Sequence, residues 1–230
     1  MIRHSETLAR IPLFGSLDPA SIAALDSQCL WRRYRAGEWI IDYQDDSADL
    51  FIVAQGHVRV QIKMISGKEV LLRDIRDGEY FGELAAIDGK PRSAGIAAVT
   101  DSVLARMSPA VFRKTIHAWP DVCDQLLALL ASQVRMLANR VNEFSALDVR
   151  HRLYAELLRI ARPGKTAGDE LVISPPPTHA ELAARVSSHR EAITRELSKL
   201  ARAGLLIKRR GALALPAPAR LRDMIEKATG

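Results

Sequence analysis

The sequence predicts an α+β chain in two parts: a roll of short antiparallel strands, then a long helix leading into a compact helical unit with a strand pair. Three observations carry that expectation. Between about Trp31 and Met107 the apolar residues alternate or run briefly between glycines, as short strands closing into a barrel or sandwich require. Beyond Trp119-Pro120-Asp121, apolar residues recur at intervals of four and three, the spacing of a long helix with one apolar seam. Charge divides with the pattern. Residues 1–149 hold 17 Lys and Arg against 19 Asp and Glu, whereas residues 150–230 hold 16 against 8. A near-neutral front and a basic back point to a polyanion at one end. The expected division is 1–119, 120–147 and 148–230.

In chain order, Leu8, Ile11, Leu13, Phe14 and Leu17 read as short helical turns, and Asp18-Pro19 as an N-cap with a first-turn proline. Val58 to Met64 alternates apolar and polar with period two, a half-buried strand. Gly37, Gly56, Gly67 and Gly78 punctuate the region; Ser66-Gly67-Lys68 and Asp77-Gly78-Glu79 read as tight turns, and His57 as a turn residue. Ser108-Pro109 caps a short helix. In the next, Cys123, Leu127, Leu130, Val134, Leu137, Val141 and Phe144 form three heptads of an a/d seam, with Gln133, Arg135, Asn139 and Arg140 interleaved. The seam either lies on its own strand domain or pairs with a second copy; its regularity favours a homodimer. Asp148 caps a further helix to Ala161, which Pro163-Gly164 ends.

The basic part carries two S/T-x-x-E capping boxes, Thr178 to Glu181 and Ser188 to Glu191. Their spacing allows a two-turn helix, a tight turn and a second helix. Leu182, Ala183 and Val186 face inward on the first helix, and Ile193, Leu197 and Leu200 on the second, which Gly204 ends. This is a helix-turn-helix, and Leu205 to Leu215, two short strands about a basic turn, is its wing. Ser188, His189, Arg190, Glu191, Thr194 and Arg195 then lie where base edges of duplex DNA can be read, with arginine suited to guanine and glutamate to cytosine. Glu191 has bland readings beside this one, as the capping-box partner or as an i,i+4 ion pair with Arg195. Lys208, Arg209 and Arg210 would meet phosphates.

The segment Phe81-Gly82-Glu83-Leu84-Ala85-Ala86-Ile87-Asp88-Gly89-Lys90-Pro91-Arg92-Ser93-Ala94 closely resembles the phosphate-binding cassette of cyclic-nucleotide-binding domains. With the seam helix and the helix-turn-helix, the resemblance spans nearly the whole chain, to the family of the cyclic-AMP receptor protein and the fumarate–nitrate regulator. It implies a cyclic-nucleotide-binding β-roll (a jelly-roll-like double-stranded barrel), a dimerisation helix and a winged helix-turn-helix domain. Gly82 would let the backbone approach the ligand, and N–H groups after Glu83, at Leu84 and Ala85, would hold an anion. Arg92 offers a fork to the cyclic phosphate and Ser93 a hydroxyl; Glu83 accepts from the ribose 2′-hydroxyl. The bland alternative is that Glu83 and Arg92 pair with each other and close the barrel. The cyclic-AMP receptor protein bonds adenine through a Thr-Ser pair on its seam helix. Here Leu137-Ala138 stands at that place, so base recognition must differ, with Asn139 or Asn142 as nearby amides. Ser187 occupies a turn position where the family often has glycine. Arg190-Glu191 and Arg195 match the family's readers of TGTGA-like half-sites, which predicts an inverted-repeat site.

The expected effector is cyclic AMP or cyclic GMP, acting allosterically. Haem, another small molecule or no ligand is the alternative, although no His pair has ligand spacing. No metal site, P-loop or nucleophile–base set is evident, so an enzyme is not expected. Cys29 and Cys123 lie far apart with no CxxC. No apolar run reaches about 18 residues, and the N-terminus lacks a secretory pattern. The expected setting is cytoplasmic, with DNA, a cyclic nucleotide, a second copy and RNA polymerase as candidate partners.

Overall fold

The computed structural model describes residues 7–63, 69–164 and 169–229; the Ser66-Gly67-Lys68 turn lies outside them. The chain separates into two compact units, Met1–Gln133 and Val134–Gly230, and the division falls inside the long helix.

The first unit opens with 3-10 turns at Leu8–Arg10 and Pro12–Phe14, then α1 (Pro19–Asp26). The Asp18 carboxylate accepts from the N–H groups of Ala20 and Ser21, as an N-cap before proline should. Eight strands follow: β1 (Leu30–Tyr34), β2 (Trp39–Ile41), β3 (Leu50–Gln55), β4 (His57–Lys63), β5 (Glu69–Arg76), β6 (Tyr80–Phe81), β7 (Gly95–Ala98) and β8 (Ser102–Met107). They form two antiparallel sheets of order β1-β8-β3-β6 and β2-β7-β4-β5. Between β6 and β7 sits the short helix α2 (Glu83–Asp88); α3 (Pro109–Ala118) follows β8, and α4 (Pro120–Ala146) begins in this unit and continues into the second.

Strand β3 explains the two-layered core. Phe51 and Val53 pack with Val58, Ile75, Ile96 and Leu104 from both sheets, whereas Leu50 and Ile52 turn the other way onto the helical elements with Phe14, Phe112 and Val122. Burial on both faces makes Leu50 to Val53 a continuous apolar run rather than an alternating one. Truncating Phe14 or Phe112, both fully buried, would cost about 3–5 kcal/mol. His57 is not a turn residue: it begins β4, is buried, and lies 3.4 Å from Asp74 on the paired strand. Gly56 takes the turn instead, at φ 115°.

The second unit contains α5 (Val149–Ile160), β9 (Arg162–Pro163), β10 (Leu171–Ile173), α6 (His179–Arg185), α7 (Arg190–Arg202), β11 (Ile207–Arg209), β12 (Ala212–Leu215) and α8 (Pro218–Thr229). Asp148 caps α5 by accepting from His151 N–H. Leu153, Leu157, Leu182, Ile193, Leu197 and Leu221 share one core. The wing is larger than two strands: β11-β12-β10-β9 form one antiparallel sheet. Arg162-Pro163 therefore does more than stop a helix; it pairs as an edge strand, where the missing proline N–H costs no ladder bond. The sequence reading ended at the wing, but α8 follows and packs on α5 through Leu221, Met224 and Ile225. Arg140, read as a polar residue interleaved in the seam, is buried instead.

Candidate functional site

The cassette predicted from the sequence is built around Arg92. Its backbone is pinned to the loop after β2, donating to Asp45 O at 2.9 Å and accepting from Gln44 N–H at 3.1 Å. Its side chain is 3% exposed. There Nε donates to Ser47 Oγ at 3.1 Å, Nη1 to Gly82 O at 3.2 Å and Nη2 to Asp49 O at 2.8 Å. The guanidinium also lies 5.8 Å from the centroid of Phe51, which stacks on Phe81. No carboxylate lies within 4.0 Å of it among the described residues; Asp49, the first of the nearby carboxylates, is itself engaged by Arg106 at 2.9 Å. Glu83 and Arg92 are thus not an ion pair closing the barrel. Burial pushes the guanidinium below its ordinary value, against the pull of Asp49, Asp45 and Glu83. A buried cation held by neutral acceptors alone keeps an unmet preference for an anion.

Gly82 caps α2 at φ 83°, and a Cβ there would stand 2.6 Å from Arg92 Nη1 and 2.8 Å from Asp49 O. The glycine is therefore needed by the protein's own arginine. Glu83 is 5% exposed, and its Oε1 accepts from Gln133 Nε2 on α4 at 3.3 Å. Ala85 is buried, whereas Leu84 and Ser93 are exposed. Leu137 and Ala138, placed by the family comparison at the base, are exposed residues of the second unit, as are Asn139 and Asn142. Sequence reading missed Ser47 and Asp49, and placed Gln133 only as a polar residue interleaved in the seam. They stand more than forty residues from their partners, beyond the reach of any local periodicity.

In the helix-turn-helix, the first capping box is present: Glu181 N–H donates to Thr178 Oγ1 at 3.1 Å and Thr178 N–H to Glu181 Oε2 at 2.7 Å. The second is not. His189 is the N-cap of α7, with no side-chain cap bond, so the helix starts one residue later and Glu191 no longer sits at the reciprocal position. The cause is the turn, where Ser187 adopts φ 51° and Ser188 N–H donates to Ala183 O at 2.9 Å. The left-handed serine costs roughly 1 kcal/mol relative to glycine.

Ile193, Leu197 and Leu200 bury one face of α7, leaving Arg190, Glu191, Thr194 and Arg195 exposed on the other with His189 at its head. Glu191 and Arg195 form no ion pair. Thr194 Oγ1 donates to Arg190 O at 2.9 Å and meets His179 Nδ1 at 2.7 Å. Partial burial, with Lys208 and Arg190 nearby, pushes the His179 imidazole below its ordinary value. Lys208 and Arg210 are exposed on the wing, but Arg209 grips Glu170 through both terminal nitrogens, at 2.8 and 2.7 Å. Of the three wing cations, Arg209 is thus engaged by its own chain.

On α4, Leu127, Val134, Leu137, Val141 and Phe144 are exposed, Val134 and Val141 to about two-thirds. Leu130 differs, being half-buried against the first unit's core.

The cyclic nucleotide-binding domain family matches residues 31–118, and the Crp-like helix-turn-helix domain family matches residues 151–224. The chain is 32% identical over 195 residues to a cyclic AMP receptor protein of Thermus thermophilus, covering 85% of this chain and 88% of that one. It is 29% identical over 200 residues to a CRP-like cAMP-activated global transcriptional regulator of Mycobacterium tuberculosis, covering 86% and 89%. Among solved structures, a CooA mutant from Carboxydothermus hydrogenoformans shares the fold with a TM-score of 0.80 at 18% identity, over 94% of this chain and 95% of that one.

Proposed function

The chain belongs to the CRP/FNR family of DNA-binding transcription regulators, and from that premise we propose that a cyclic nucleotide held at Arg92 controls its reading of inverted-repeat DNA as a homodimer. The observation that carries this reading is Arg92. Two carbonyls and a hydroxyl fix its fork in a buried place with no carboxylate within 4.0 Å among the described residues, and the guanidinium has donors left over. A cyclic phosphate brings a negative charge into direct contact and accepts those donors. Ser93, exposed beside it, adds a hydroxyl, and the N–H groups of Leu84 and Ala85 complete the phosphate cradle. Glu83 takes the ribose 2′-hydroxyl, with Gln133 sharing or releasing the carboxylate.

The name of the Mycobacterium relative supports cyclic AMP as the effector. Against an assignment by base, Leu137 and Ala138 carry no donor or acceptor, so cyclic AMP and cyclic GMP are both effectors to test. The exposed apolar seam on α4 supports pairing with a second copy. Two recognition helices then fall about one DNA turn apart, roughly 34 Å, on TGTGA-like half-sites read by Arg190, Glu191 and Arg195. Ser188, His189 and Thr194 flank those readers, and Lys208 and Arg210 lie against phosphates. Control follows from differential affinity: nucleotide shifts the population only as far as it binds the DNA-competent dimer better than the incompetent one. The test is a titration of an inverted TGTGA-type duplex with and without cyclic AMP and cyclic GMP. At least one nucleotide should tighten binding by about fivefold or more; no change with either overturns nucleotide control.

A further inference from the structure

The second unit contains a buried ionic cluster that neither nucleotide capture nor base reading uses. Glu156, on α5 and 1% exposed, receives Arg140 Nη1 from α4 at 3.2 Å and Arg185 Nη1 from α6 at 3.3 Å. Arg159, also on α5, bonds Glu156 and reaches Glu143 on α4. Arg140 makes a second contact of a different kind: its Nη2 donates to Arg185 O, at the last residue of α6, at 2.6 Å. That carbonyl belongs to the end of the helix, where intrahelical partners run out. The chain then passes through the Val186–His189 turn into α7.

Two features make this more than ballast. Buried ion pairs give little stability over apolar packing of the same volume, and in some proteins what such groups contribute is a fixed geometry. Arg140 also stands at a junction, with its guanidinium 5.7 Å from the ring centroid of Phe144, an exposed member of the α4 seam. One side chain therefore touches the seam, the buried carboxylate and the carbonyl end of the first helix of the reading pair.

We propose that Arg140, Glu156 and Arg185 are positioning residues that lock the DNA-reading helix pair in one orientation on α4, and so set the half-site spacing the protein accepts. The proposal rests on the DNA-reading assignment for its operator readout, but its structural half needs no DNA.

The main variant is full-length Arg140→Met, Glu156→Leu, Arg185→Met, since apolar replacement of a complete buried cluster usually leaves a folded protein. Arg140→Lys accompanies it, keeping the charge but unable to fork between Glu156 and the Arg185 carbonyl. The first measurement uses spin labels at Ser145→Cys and Ser198→Cys, both exposed positions, in a Cys29→Ala, Cys123→Ala background without DNA. A narrow distance distribution in the parent should broaden or shift in both variants. The second compares affinity for the inverted repeat with affinity for repeats whose half-sites are moved by one or two base pairs. Preference for the native spacing should fall by about fivefold or more, while affinity for a single half-site stays within about threefold.

Unchanged distances with unchanged spacing preference in both variants overturn the proposal. Should the triple variant fail to fold, Arg140→Lys alone decides by the same two readouts. If the parent protein binds no inverted repeat, the DNA-reading assignment fails instead, and the distance measurement still judges the joint.

Discussion

At the residue scale, Arg92 has two duties that the sequence presented as one. Under the proposed function it would receive the cyclic phosphate, and it also satisfies the carbonyls of Gly82 and Asp49. Arg92→Ala should therefore raise the nucleotide Kd by about a hundredfold, the worth of a lost charge-assisted fork, and lower stability by about 1–3 kcal/mol for acceptors left unmet. Calorimetry with cyclic AMP and a denaturant titration separate the two effects; an unchanged Kd would contradict the phosphate assignment. Gly82→Ala should destabilise by roughly 1–2 kcal/mol from the left-handed backbone alone, with the close approach to Asp49 O added. His179 gives a pH dependence with a definite sign. Its imidazole, ordinarily at 6.5, is held lower by burial first and then by Lys208 and Arg190. A phosphate drawn to Lys208 would relieve part of the repulsion and raise it again, so binding takes up a proton. DNA affinity should fall as pH rises through the bound-state value, by at most about one decade per pH unit per protomer. His179→Gln should flatten that slope, and a slope that persists would place the proton elsewhere.

At the element scale, α4 shows why a heptad pattern is an incomplete guide. The recurrence of apolar residues correctly located one helix face, yet its members do different work. Leu130 packs into the first unit while Val134, Leu137, Val141 and Phe144 stay exposed. A charge at Leu130 would damage the core as well as the seam. Val141→Glu is the cleaner perturbation and should yield monomers in sedimentation with the melting temperature of the β-roll unchanged; a surviving dimer removes the seam from the dimer account. On α7, Arg195→Ala should relax base preference at its position by roughly 1–3 kcal/mol, measured as the affinity difference between matched and substituted half-sites. Equal losses on specific and random duplex would instead make Arg195 a phosphate contact. On the wing, Arg209 has Glu170 as its own anion, so Lys208→Ala should reduce the salt dependence of DNA binding more than Arg209→Ala does. The second capping box failed for a related reason. Ser188 and Glu191 have the right types at the right spacing, but the left-handed turn at Ser187 moves the helix start to His189.

At the scale of the whole molecule, two units of different charge follow one another in the chain, joined by an unbroken α4. Much of this was legible in the sequence because it depends on near neighbours. Period two along β4, the three-and-four spacing of α4, Asp18-Pro19, Ser108-Pro109 and the Thr178 capping box are each decided within a few residues. The cassette was legible as a contiguous string, and the basic excess after residue 149 as a count. What the sequence could not reveal involves partners brought together from afar: Ser47 and Asp49 on the Arg92 fork, Gln133 on Glu83, Glu170 on Arg209, and Arg140 with Glu156 and Arg185. By itself the sequence determined most of the segments that become strand or helix, because backbone preference and apolar spacing are local; its candidates for holding a phosphate came from a contiguous string that resembles a family's cassette. Only the tertiary structure decided which charges are committed inside the protein and which remain available, because whether an ion is matched depends on distance through space and on burial, neither of which is written in the order of residues.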